Sequence, residues 1–300
     1  NKMLPDTNMF PGKHKSLIRQ LVDFKIGSIG FQTSGSSAIT RACRIARAIT
    51  KRRLIALIGD FWHGSDDEFL FRHNYVLLSE GLAINPAKNY VWFESISLFL
   101  SQAKYQDFAA ILVEPAQGSN PKINTIKELL NTKIRDKIRS NNILIILDEV
   151  ITGFRDSYGS SIMSRKCKPD IVIFGKAIGG GYPIGLVLVN DFYTHLVEKQ
   201  QIFWGGTFSA NHTQISLMYR QLIKLKTLNY DLIKNNLDAI CRYILEIIKI
   251  EEYGFTISRG NGFARILEID RKINTSRGFL FKKSNSEIKI EEICMRNRIY

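Results

Sequence analysis

Ile143-Leu144-Ile145-Ile146-Leu147-Asp148-Glu149 is five unbroken apolar residues closed by two carboxylates. Ile171-Val172-Ile173-Phe174-Gly175-Lys176 repeats the form with an amine at its end. Apolar runs of this length without alternation are what a parallel sheet covered on both faces requires. The chain between Asp148 and Lys176 is long enough for the crossover that parallel neighbours need. Working outward, 28–33, 54–58, 90–93, 110–113 and 185–189 are further predicted strands. Residues 36–50 are a predicted helix, with Ile39, Ala42, Cys43, Ala46 and Ile49 at helical spacing, and 123–139 is another. The expected architecture is α/β: a mostly parallel central sheet with helices on both faces.

The 300 residues are 45% hydrophobic and 23% charged, which suits a globular chain of about two domains. The texture changes near Asn211, dividing a large domain (1–210) from 211–300. In the latter, helical patterns at 214–226 and 230–250 lead into a strand at 264–269 and a charged helix at 286–297, a partial small α+β domain. No apolar run approaches the ~18 residues of a spanning helix. The beginning, Asn1-Lys2-Met3-Leu4-Pro5-Asp6, has no secretory pattern. Cys43, Cys167, Cys241 and Cys294 are scattered singly, so neither a disulfide framework nor a metal site is suggested, and a cytoplasmic location is expected. Lys and Arg outnumber Asp and Glu by 42 to 28, a net charge of +14. The cations are dispersed, with no nucleic-acid-binding pattern beside them, so nucleic acid is not an expected partner. A basic surface attractive to anionic ligands remains compatible with this charge.

In an open α/β sheet the site lies beyond the carboxyl ends of the strands. After 28–33 come Ser34-Gly35-Ser36-Ser37 and a helix start, where free backbone N–H groups form an anion cradle. A plain serine cap is the bland alternative. Asp148 ends one buried strand, and its alternative is a solvated strand-end acid. Lys176 leaves another between glycines, where an amine is approachable; alone it would read as a surface lysine. The order of a P-loop is absent. Together, a phosphate cradle, an acid and an amine on three strand ends are what pyridoxal 5'-phosphate needs. The lysine holds the aldehyde as a Schiff base, the acid keeps the ring nitrogen protonated, and the helix start anchors the phosphate.

The wording of these segments resembles the class III (fold-type I) pyridoxal-phosphate-dependent aminotransferases. Asp148-Glu149-Val150-Ile151-Thr152-Gly153-Phe154-Arg155 is similar to that family's aspartate motif, and the run from Pro169 to Gly185 to its lysine motif. Ser34-Gly35-Ser36-Ser37-Ala38, Phe61-Trp62-His63-Gly64, Val113-Glu114-Pro115 and Gly205-Gly206-Thr207-Phe208-Ser209-Ala210-Asn211 resemble four more, all in family order. Gly153-Phe154-Arg155 followed by the triple glycine 179–181 is closest to the glutamate-1-semialdehyde 2,1-aminomutase branch. Ser37 and His212 depart from the family, which usually has an acid and a proline there.

The resemblance implies a fold-type I transferase fold and residue roles. Lys176 would carry the cofactor and move the proton at substrate Cα. Asp148 would pair with the pyridinium, with Val150 and Trp62 against the two ring faces. Gly35 and Ser36 would bind phosphate, and Thr207 would contribute across a homodimer interface. Gln117 would approach the phenolic oxygen, and His63 reads as a structural histidine. The substrates would be a small-molecule amino donor and acceptor, with transamination and an intramolecular amino shift both open. The resemblance also implies that the chain is short at both ends. A non-catalytic homologue retaining the fold is the alternative, as is another chemistry on the same cofactor, such as racemisation.

Overall fold

A computed structural model describes residues 12–71, 75–82, 85, 88–116, 125–199, 202, 206–248, 255–259 and 265–269. They fall into two compact units divided between Tyr230 and Asp231.

The first unit is built on a seven-stranded sheet. Its strands are β1 (Ile26–Gln32), β2 (Leu54–Ile58), β3 (Tyr90–Phe93), β4 (Phe108–Val113), β5 (Leu144–Asp148), β6 (Ile171–Phe174) and β7 (Gly185–Asn190). Their spatial order is β1-β7-β6-β5-β4-β2-β3. β3, β2, β4, β5 and β6 pair parallel, while β7 runs antiparallel to both β6 and β1.

Period-two side-chain alternation divides the core into two layers. Ile55, Leu57, Leu144, Ile146, Ile171 and Ile173 pack on one face against α2 (Gly35–Thr50). Ala38, Ile39, Ala42, Cys43, Ile45 and Ala46 form the buried stripe of that helix. On the other face Ile58, Ile111, Ile145, Leu147, Val172 and Phe174 meet side chains of helices at 12–19, 96–102, 132–140 and 212–227. Both layers are fully buried, which explains the unbroken apolar strands.

Several expectations shift. The helix expected at 123–139 is two pieces: a 3₁₀ segment Thr125–Leu130 and an α-helix Thr132–Ser140. Asn131 makes the break, because its side chain accepts from the Lys133 N–H at 2.9 Å and starts a new helix. The second unit begins within the first turn of the helix Tyr230–Ile248 and contains a hairpin, Phe255–Arg259 paired antiparallel with Arg265–Ile269. The first hairpin strand was not expected from the sequence. The helix expected at 286–297 lies outside the described residues. Among the described residues Cys43, Cys167 and Cys241 are free, and no helix is long and apolar enough to cross a membrane.

Candidate active site

The parallel strands and β1 all end on one edge of the sheet, and the chemistry-bearing segments follow those ends. Asp148 is the last residue of β5, 3% exposed. Its Oδ2 lies 2.8 Å from Nδ1 of His63, itself fully buried. A carboxylate only accepts, so Nδ1 carries the proton and donates it. The other oxygen, Oδ1, accepts the Val150 N–H at 3.0 Å. Two N–H groups thus fix the orientation of this carboxyl within an apolar layer. Phe61 stacks on the His63 ring (centroids 5.1 Å, planes 8° apart), and Phe69 meets its edge at 5.9 Å. Nε2 of His63 is buried without a partner among the described residues.

The helix start is capped from within. Ser34 Oγ accepts the Ser37 N–H at 3.0 Å, and Ser37 Oγ accepts the Ser34 N–H at 3.2 Å. The cap reading of these serines is therefore correct, yet it leaves the first-turn N–H groups of Gly35 and Ser36 with no intrahelical acceptor. Ser36 Oγ accepts the Ser65 N–H at 3.2 Å, tying the His63-Gly64 loop to the same turn. The Trp62 N–H donates to Glu114 Oε2 at 3.1 Å, and the indole is 40% exposed rather than core.

Val150 joins these pieces. A Cβ on Gly35 would sit 2.8 Å from Val150 Cγ1, and one on Gly175 would sit 3.0 Å from the same methyl and 3.4 Å from Gly35 Cα. Only glycines let the helix start, the end of β5 and the lysine loop approach so closely. Lys176 follows directly, exposed and in the left-handed region (φ 44°). Its amine has no partner among the described residues. A non-glycine residue held there stores strain, a feature that concentrates at functional sites.

A model of the aminotransferase class-III family matches residues 79–287. The chain belongs to the class-III aminotransferases. It is 30% identical over 285 residues to a glutamate-1-semialdehyde 2,1-aminomutase of Saccharolobus islandicus, across 91% of this chain and 65% of that protein. The chain thus spans about two thirds of the length of the relatives it matches. In fold it is similar to an omega-transaminase from Sphaerobacter thermophilus (TM-score 0.68, 21% identity, 84% of this chain and 62% of that one). It is also similar to a glutamate-1-semialdehyde-aminomutase from Pseudomonas aeruginosa PAO1 (TM-score 0.71, 18% identity, 86% and 61%).

The fold brings together Gly35, Ser36, Asp148, Val150, Gly175 and Lys176 of this class-III chain. Thr207 is exposed in the turn at 207–210 and makes no hydrogen bond or ion pair with these residues. Gln117 lies outside the described residues. Glu149 is the group that motif reading passed over. Fully buried, it accepts from the Thr152 hydroxyl and the Ser161 N–H (3.1 Å), pinning the loop after Asp148. Burial pushes its carboxyl up to about 7, opposed by those hydrogen bonds and one from Ser164.

A folded-state pKa above the ordinary carboxylate value makes the protonated form the stabilising one. That stabilisation is complete below about 4.5 and is lost as pH rises through about 7. Glu149→Gln is therefore expected to gain stability relative to the parent between pH 5 and pH 8, by on the order of 3 kcal/mol. Paired urea melts across that range check this. A difference independent of pH, or of the opposite slope, contradicts it.

Proposed function

We propose that this chain is the greater part of a pyridoxal-phosphate enzyme that moves an amino group between small molecules. The single observation carrying the reading is the convergence of Gly35, Asp148–Val150 and Gly175–Lys176, with a buried carboxylate, an unpartnered amine and a free helix start on one sheet edge. The donor set fits the cofactor: N–H groups for a phosphate, a carboxyl for a ring nitrogen, an amine for an aldehyde. When bound, pyridoxal phosphate supplies that aldehyde and a ring able to accept electron density from a substrate carbon.

This chain's residues do the rest. Gly35 and Ser36 bind phosphate through backbone N–H groups at the positive end of α2. Asp148, oriented by His63, holds a proton on the ring nitrogen. Val150 and Trp62 would hold the ring between apolar side chains and keep water from it. The Lys176 amine holds and moves the proton at substrate Cα. Thr207 contributes to the site of a second copy in a homodimer. Its neighbour Phe208 (67% exposed) and Tyr182 (55%) line an apolar pocket of about 310 Å³ with Pro183 and Ile184, a surface that suits burial against another subunit. In domain terms, we read 1–210 as the cofactor-binding domain, with the helix His212–Thr227 packed onto the same core, and the rest of 211–300 as part of a small domain. The cell compartment is the cytoplasm.

The branch is an aminomutase acting on a glutamate-derived amino aldehyde, as the names of the relatives suggest. An isotope assay separates the possibilities. With pyridoxal phosphate and ¹⁵N-labelled substrate amine, an aminomutase keeps the label within the product carbon skeleton. A transaminase passes it to an added keto acid. Absence of either transfer, in a chain that binds the cofactor, would support a homologue without catalysis.

A further inference from the structure

A second pocket, about 470 Å³, opens at the opposite sheet edge, where the parallel strands begin. Val22–Phe24 before β1, Pro169 before β6 and Asn190 at the end of β7 form its rim. Even the shortest strands, of four residues, span about 13 Å, so the pocket and the cofactor edge are separate sites. Its lining includes Arg139, Arg165, Lys166 and Lys168 against one acid, Asp23.

The cations differ in how far they are satisfied. Arg165 is committed: Nη1 pairs with Asp23 at 2.5 Å, and Nε and Nη2 reach the carbonyls of Ser160, Gln20, Leu21 and Tyr158. It neutralises Asp23 and braces the wall. Arg139 leans on the Lys168 carbonyl and lies 3.7 Å from the buried Asp170. Lys166 and Lys168 are exposed, with amines that have no partner among the described residues. Ser160, another lining residue, is 2% exposed, and its Oγ is buried without a hydrogen-bond partner among the described residues. A buried hydroxyl left unmatched in a cationic cavity of ligand size points to an absent acceptor.

We propose that this pocket binds a small multiply charged anion of the phosphate-ester class. Lys166 and Lys168 close on the charge, Arg139 orients it and Ser160 donates to it. Two uncommitted ammonium groups and a guanidinium at one rim match the several oxygens of a diphosphate better than a single carboxylate. This inference does not rest on the proposed amino-transfer activity.

The test is protection of lysines in the full chain from acetylation, read by peptide mass spectrometry, with inorganic pyrophosphate as probe. Pyrophosphate is expected to slow labelling of Lys166 and Lys168 several-fold while leaving Lys51, Lys104 and Lys133 unchanged. This readout is blind to phosphate at the α2 start. In Lys168→Gln, protection of Lys166 should need on the order of tenfold more pyrophosphate. Ser160→Ala provides a second variant with the charges intact, and it should weaken protection in the same direction. Labelling of Lys166 and Lys168 unaffected at millimolar pyrophosphate overturns the proposal, as does half-saturation unchanged in both variants. Protection by a single-stranded oligonucleotide that extends to Lys133 and Lys137, and exceeds that by pyrophosphate, overturns it in favour of an extended nucleic-acid surface.

Discussion

Replacing Lys176 with alanine is expected to lower amino transfer by on the order of 10⁴-fold or more while leaving the fold intact. The two halves of that expectation have separate origins. The side chain is exposed and its amine has no partner among the described residues, so truncation breaks no hydrogen bond and opens no cavity. Stability should change by about 0.5 kcal/mol or less, as at other surface positions. Activity should collapse because the same amine is the group assigned to hold the cofactor and to move the proton at substrate Cα. Unfolding midpoints and single-turnover rates, measured together, check both halves. Activity within tenfold of the parent would remove Lys176 from the chemistry, and a large loss of stability would make its role structural.

Substituting Asp148 produces a different signature. Asp148→Asn keeps the shape, and its amide oxygen still accepts from His63 Nδ1 or from the Val150 N–H, which lie 2.8 Å and 3.0 Å from the carboxylate. What disappears is the negative charge. Activity is expected to fall on the order of 10³-fold, the scale for removing one preorganised electrostatic group, with stability largely kept. Asp148→Ala leaves the buried imidazole N–H and the Val150 N–H without an acceptor. It should cost about 3 kcal/mol of stability in addition. A stability-matched pair of variants with unequal activity would separate charge from packing. If Asn retained full activity, the acid would be a structural partner of His63 only.

The sheet was legible because burial on both faces leaves no alternation to confuse. The stretches 54–58, 90–93 and 171–174 end where the structure ends them, and β5 runs one residue further to include Asp148 itself. Strand direction was not legible: β7 reads like its neighbours in composition and runs antiparallel because its link from β6 is a short glycine-rich turn. The break at Asn131 was hidden because Ile126, Leu130, Ile134 and Ile138 keep a four-residue helical spacing across it. Of the hairpin only the second strand was read from the sequence; the first, Phe255–Arg259, is defined by its pairing with Arg265–Ile269.

Within the site, residue types at strand ends pointed to Asp148 and Lys176, whereas the close approaches that require Gly35 and Gly175 depend on Val150 reaching both from another strand end and have no local signal. The bond between His63 and Asp148 crosses 85 positions of chain, and no local signal encodes it. Reading His63 as structural was sound as far as its burial goes. The structure adds what it supports, namely the acid. Glu149 was overshadowed by Asp148 beside it, although strand alternation already sends the two side chains to opposite faces.

The most direct measurement is borohydride reduction of the purified chain after incubation with pyridoxal phosphate, followed by peptide mapping. A cofactor-derived adduct confined to the peptide containing Lys176, and absent from Lys176→Ala, is the result predicted. Adducts spread over exposed lysines such as Lys51 and Lys104, with Lys176 labelled no faster than they are, would contradict the assignment of this edge of the sheet as the cofactor site.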